Sequence, residues 1–173
     1  MYFNLSPKVS MDTFSNLGLI HPLMIGNEFM PPLVQLSDEA QNDYEIICKY
    51  ALRQGWTQWA DFKMHLRKST NAVVITDHRQ IIRFASAGFE KMTGYTPEFA
   101  RGKKPKFLQG KKTETSTRAS IHEALEKREF IDATLTNYRK NGEAYLCRAK
   151  IFPMFNKSSE LVNFLALENE VFV

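Results

Sequence analysis

Long apolar runs are missing from this chain. No stretch approaches about eighteen consecutive apolar residues, so nothing reads as a membrane-spanning helix. Cysteine is scarce. Cys48 and Cys147 are the two present, far apart and outside any CxxC pattern, which argues against a disulfide framework or a zinc site. The start, Met1-Tyr2-Phe3-Asn4-Leu5-Ser6-Pro7, lacks a charged leader followed by an apolar run. No secretory signal is expected, and a cytoplasmic location is the default expectation. Charge of one sign is not in large excess either: the net charge of +4 says little about partners unless it is clustered. What the chain does have is 173 residues, 43% of them hydrophobic, with thirteen Phe and six Tyr. That is enough core for one ordinary globular domain with some extra structure, not for two.

Residues 1–36 mix Gly and Pro with scattered Leu, Met and Phe and show no period. They read as an irregular N-terminal arm. Residues 37–69 read as a helical cap. Ser37 followed by Asp38 and Glu39 is a helix start, and Tyr44, Ile47, Cys48, Ala51 and Leu52 recur at helical spacing up to Gly55. Thr57 is the expected cap of a second helix carrying Trp59, Phe62, Met64 and Leu66. Residues 70–170 read as a separate domain. Ala72 to Thr76 and Ile81 to Phe84 suggest a hairpin, Phe89 to Gly94 a short helix, and Thr115 to Lys127 a longer one. Phe130 to Tyr138 and Ala144 to Phe152 are joined by Arg139-Lys140-Asn141-Gly142, whose Asn-Gly accepts positive φ. Leu161 to Glu168 is the last strand. The fold class expected is α+β, with a five-stranded antiparallel sheet, short helices on one face, and the N-terminal cap.

Within that frame several segments resemble PAS domains of the LOV kind. These are Asn71 to Asp77, Phe89-Glu90-Lys91-Met92-Thr93-Gly94-Tyr95, Gly102 to Gly110 with its Phe107-Leu108-Gln109-Gly110, Asn137-Tyr138-Arg139-Lys140-Asn141-Gly142, and Val162-Asn163-Phe164. The resemblance covers Asn71 to Glu168 and leaves the first seventy residues out. It implies a sensory fold with an internal cavity lined by Ile75, Phe107, Leu108, Ile121, Leu125, Asn137, Cys147, Ile151 and Glu168.

The resemblance also implies a set of ligand positions. LOV domains use a cysteine that attacks a flavin; its place here is Pro105, which has no nucleophile. The asparagine before it is Lys104. The two phosphate-binding arginines correspond to Lys106 and His122. The ring-edge amides correspond to Asn137, Cys147 and Glu168, and Gln109 is kept. Cys147 is a weak donor, and an ionised Glu168 only accepts. The expectation is therefore that no cofactor is bound, the alternative being a weakly held flavin mononucleotide. Cys147 reads as a buried small hydrophobe rather than a reactive thiol. Glu168 is a recognition group for a cationic or hydroxylic ligand, a carboxyl with a raised pKa, or a strand-end residue that reaches water or a basic partner. His65 and His122 read as surface helix residues. The six basic residues from Arg101 to Lys112 read as a solvated loop, with nucleic acid an unlikely partner.

Strand alternation exposes Leu146, Phe152, Leu165 and Leu167 on the outer sheet face. With Tyr44, Ile47, Trp59 and Phe62 of the cap, these are the expected interface residues, covered in cis or by a second subunit. The function expected is a non-photochemical regulatory module in signal transduction. It would work through homodimerisation or an unidentified signalling protein in trans, and would not be an enzyme. The alternative is a small-ligand or flavin sensor using the cavity.

Overall fold

The computed structural model describes residues 35–172, so the arm lies almost wholly outside the described residues. Helix α1 spans Asp38–Gln54. The Ser37 hydroxyl accepts from the Ala40 amide, two acids occupy the first turn, and Gly55 ends the helix in the left-handed conformation, as capping chemistry predicts. The second cap helix, α2, is shorter than expected, Phe62–Leu66, and its cap is Asp61. Thr57 does other work: its amide and hydroxyl both donate to the Phe155 carbonyl, and Gln58 donates to that of Pro153. These bonds hold residues 56–60 along a strand end instead of in a helix.

The remaining elements are β1 (Ala72–Asp77), β2 (Ile82–Ala85), α3 (Ala87–Thr93), α4 (Pro97–Ala100), a 3-10 turn (Pro105–Leu108), α5 (Thr115–Lys127), β3 (Ile131–Tyr138), β4 (Ala144–Phe155) and β5 (Leu161–Val171). The strands form one antiparallel sheet in the order β2-β1-β5-β4-β3. The β3–β4 register pairs Tyr138 with Ala144 and leaves Gly142 at φ +86° in the turn. Strands β4 and β5 run three residues further than the sequence pattern suggests.

The sheet has a core on each face. On the outer face, Ile47, Ala51, Trp56, Phe62 and Leu66 of the cap pack on Val73, Ile75, Leu165 and Leu167. On the inner face, Phe89, Met92, Ala100 and Leu108 pack on Ala72, Val74, Leu135, Cys147 and Ala149. Polar ties hold the cap. Asn163 is buried, accepts from Trp56 Nε1 at 2.9 Å, and donates to Tyr50 Oη and the Thr76 carbonyl. The Asp43 carboxylate accepts from the Ala87 amide at 2.8 Å, supplying the N-terminal bond to α3 that Ser86 does not make.

Candidate functional site

Between the sheet and α5 lies a cavity of about 870 Å³. Helix α5 buries none of its own residues; it rests against β3, and its inner side chains Ile121 and Leu125 border open space. The sheet contributes Val74, Thr76, Leu135, Asn137, Ala149, Ile151, Phe164, Ala166 and Glu168. The 3-10 turn adds Pro105, Lys106, Leu108 and Gln109.

Part of the cavity lining is polar but unpaired. Asn137 Oδ1 and Glu168 Oε2 are buried, have no hydrogen-bond partner, and belong to residues that line the cavity. Tyr145 Oη, opposite Asn137 in the register, is also buried without a partner. Buried polar atoms are seldom left unpaired in a folded protein, so this lining is suited to a ligand that donates and accepts. Burial pushes the Glu168 carboxyl up to about 7. Burial also raises the Tyr145 phenol beyond its ordinary range and the Cys147 thiol well above its own, in both cases with help from the carboxylate of Glu168.

The lining also carries basic groups. Lys104, Lys106, Arg118 and His122 belong to it, with His78, Arg79 and Gln80 from the β1–β2 turn. The Arg118 Nε is buried without a partner. Lysine ammonium groups and a guanidinium along a cavity suit an anion.

Most of the expected ligand positions converge here: Gln109, Asn137, Glu168, Lys106 and His122 all line the cavity. Gln109 is also bridged to Asn137. Several expectations need correction. Cys147 is fully buried beneath the wall and does not line the cavity. Ile75 faces the cap instead, and strand alternation leaves Val74 and Thr76 on the cavity side. Phe107 is turned away, packed edge-on against Tyr95 and Phe99. His122 is exposed on α5, as expected, and also lines the cavity, whereas His65 is half-buried. His65 Nε2 donates to the backbone carbonyls of Ala72 and Glu168 at 3.1 and 3.0 Å, and burial lowers its pKa. The six basic residues from Arg101 to Lys112 are exposed, as expected of a solvated loop, and of these Lys104 and Lys106 also line the cavity. Arg118 was overlooked, although it sits one helical turn before His122 and shares its face.

The expected interface residues divide. Ile47, Phe62, Leu165 and Leu167 are buried within the chain by the cap–sheet packing, so they offer no surface. Tyr44 and Phe152 are half-buried against the same cluster, Leu146 is half-buried, and Trp59 is exposed. The cover is provided in cis.

A family model described as a PAS domain matches residues 70–171. The chain belongs to the PAS family. A blue-light photoreceptor of Listeria innocua is 36% identical over 109 residues, which is 61% of this chain and 43% of that protein. A solved structure described as "Flavin Analogue Sheds Light on Light-Oxygen-Voltage Domain Mechanism" superposes with a TM-score of 0.60 at 28% identity, covering 65% of this chain and 86% of the other. The LOV domain of an Erythrobacter litoralis blue-light-activated histidine kinase superposes at 0.56 and 25%, covering 59% and 96%. This chain spans less than half the length of the curated relatives it matches, and its PAS domain is LOV-like.

These similarities correct the expectation of no cofactor. The relatives along this PAS domain are blue-light receptors and LOV domains, one of them studied with a flavin analogue. The objection from Glu168 holds only for an ionised carboxylate; burial raises its pKa to about 7, and the neutral acid donates and accepts as an amide does.

Among the described residues no group of three or more His, Cys, Asp or Glu is placed to hold a metal ion, and no helix is long and apolar enough to cross a membrane.

Proposed function

We propose that this chain is a LOV-like PAS sensory module that holds flavin mononucleotide in the cavity and senses through it without a cysteine adduct at position 105. The observation that carries this reading is the mixed lining of the cavity: unpartnered Asn137 Oδ1 and Glu168 Oε2 together with the basic Lys106, Arg118 and His122. A bound flavin would supply visible-light absorption and redox chemistry. Asn137, Gln109 and Glu168 would hold its ring edge, and Lys106 and Arg118 its phosphate. Ile121, Leu125, Leu135 and Ile151 would exclude water from the ring faces. Pro105 stands where the photoactive cysteine of the family stands and has no thiol to offer.

Output would leave through the sheet. Strand β5 faces the cavity with Phe164, Ala166 and Glu168 and supports the cap with Leu165 and Leu167. The outer face also carries an aromatic pair, the exposed Phe130 on the half-buried Phe152, with ring centroids 4.8 Å apart. That pair is the place at which a second copy or another signalling protein would meet the chain.

The test is direct. Purified chain titrated with flavin mononucleotide should quench flavin fluorescence saturably at one flavin per chain and should unfold at a higher temperature with flavin present. No saturable binding up to about 100 μM, roughly −5.5 kcal/mol, would count against the reading.

A further inference from the structure

Glu168 lines the cavity as a buried carboxylic acid that, among the described residues, has no ion-pair partner. It sits on β5, an inner strand of the sheet, paired with Ala72 on one side and Ala149 on the other. Neither neighbouring methyl group can hydrogen-bond, and Oε2 has no partner. The titratable and charged groups around it can be named element by element. Strand β1 turns Val74 and Thr76 to the cavity, and β3 turns Leu135 and Asn137, none of them titratable. Strand β4 contributes Tyr145 and Cys147, both held neutral. Helix α5 brings Arg118, His122 and Glu126 to the same cavity, the 3-10 turn and the residue before it bring Lys106 and Lys104, and the β1–β2 turn brings His78 and Arg79. Among the described residues none of these is ion-paired or hydrogen-bonded to the Glu168 carboxyl. His65 touches Glu168 only at its backbone carbonyl.

We propose that Glu168 recognises the flavin ring edge as a neutral acid, donating its O–H to a ring acceptor, so that flavin binding by this chain is linked to uptake of a proton. The inference rests on the flavin reading above and adds to it a property that an amide at this position cannot have. An amide donates and accepts at any pH and exchanges no proton near neutrality. The carboxyl donates only while protonated. Once ionised, it loses the donor and presents a buried negative charge to carbonyl oxygens of the ring. Burial places that change near neutral pH. Above it, binding converts the carboxylate to the acid, and the proton comes from bulk water.

Riboflavin is the cleaner probe, because it lacks the phosphate that itself titrates near pH 6 and that faces His122. Its affinity for the wild-type chain should be level at low pH. From about pH 7 upward the dissociation constant should rise about tenfold per pH unit. Glu168→Gln should bind as tightly as the wild type does at low pH and should keep that affinity throughout. A second measurement needs no variant. Calorimetric titration of the wild type at about pH 8, in buffers of different ionisation enthalpy, should count about one proton taken up per riboflavin.

Equal pH slopes in wild type and Glu168→Gln, or no proton uptake by the wild type, would overturn the proposal and leave the flavin reading standing. Absence of binding of both riboflavin and flavin mononucleotide to both proteins at every pH would overturn the flavin reading, and this inference with it.

Discussion

Substituting Asn163→Ala tests how the cap is fastened to the sheet. The amide accepts from Trp56 Nε1 at 2.9 Å and donates to Tyr50 Oη at 3.2 Å and to the Thr76 carbonyl at 2.9 Å. Asn163 and Trp56 are both fully buried. Losing the three bonds removes about 1 kcal/mol each, the weakest less. The indole N–H left without a partner adds a desolvation penalty of about 1–3 kcal/mol. These contributions overlap, so the expected loss of stability is about 3–4 kcal/mol. With a urea dependence of about 2 kcal/mol per molar, the unfolding midpoint should fall by about 1.5–2 M. The assay is urea unfolding followed by tryptophan fluorescence and by circular dichroism. Trp56→Phe supplies the control. In that background Asn163→Ala no longer orphans an indole, and its cost should drop by about 1–2 kcal/mol. A loss below about 1 kcal/mol, or the same loss in both backgrounds, would refute the claim that this bond fastens the cap.

Three further outcomes follow from the packing. Gly88→Ala places a Cβ 1.8 Å from the Asn71 carbonyl oxygen, so α3 must move off the start of β1; thermal unfolding should show a loss of about 3 kcal/mol or more, in the range of severe core strain. In the ligand-free chain the Glu168 pKa, raised from 4.5 to about 7, makes the folded state bind more protons than the unfolded state between those values. Stability from this group therefore falls as pH rises through that window, by about 3 kcal/mol, and levels off above it. The difference between wild type and Glu168→Gln in urea unfolding at a series of pH values isolates the effect, and a difference independent of pH refutes it. Arg118→Ala should weaken flavin mononucleotide about tenfold or more, as loss of a charge-assisted contact does, and leave riboflavin nearly unchanged; parallel fluorescence titrations compare them.

How much of this was legible in the sequence depended on whether a side chain's direction was written into a period. Along β4 it was: Cys147 and Ala149 are buried while Arg148 and Lys150 are exposed, so strict alternation assigned both faces correctly. Along β1 it was not. All six residues from Ala72 to Asp77 are buried, because the cap covers one face and the domain core the other, and a strand apolar on both sides has no alternation to read. That is why Ile75 was assigned to the wrong face. Hydrogen bonds across long sequence separations were equally invisible. Nothing in the α2 sequence indicates that His65 reaches two strand carbonyls, or that Thr57 bonds to Phe155 and not to its own helix. Glu168 was open for a different reason. Its position and the possibility of a raised pKa were legible, but which protonation state it holds is a property of the surroundings and not of the residue type.

The same residue also explains why the cavity and the cap belong in one account. Strand β5 has Phe164, Ala166 and Glu168 on the cavity side and Asn163, Leu165 and Leu167 under the cap. The polar ties that reach this strand from the cap are Trp56 and Tyr50 to the Asn163 amide and His65 to the Glu168 carbonyl. The tie from His65 lies on the residue whose side chain faces the ligand space. A hydrogen bond made or lost by the Glu168 carboxyl therefore acts on a peptide unit that α2 already grips. Packed interiors do not absorb such shifts locally. If the cap responds to the cavity, the response should be carried by this strand. His65→Ala should then loosen the cap, seen as faster amide exchange in α1 and α2 than in β3 and β4, without opening the cavity wall. Exchange that rises equally in all four elements would mean that His65 supports the whole fold and not this connection.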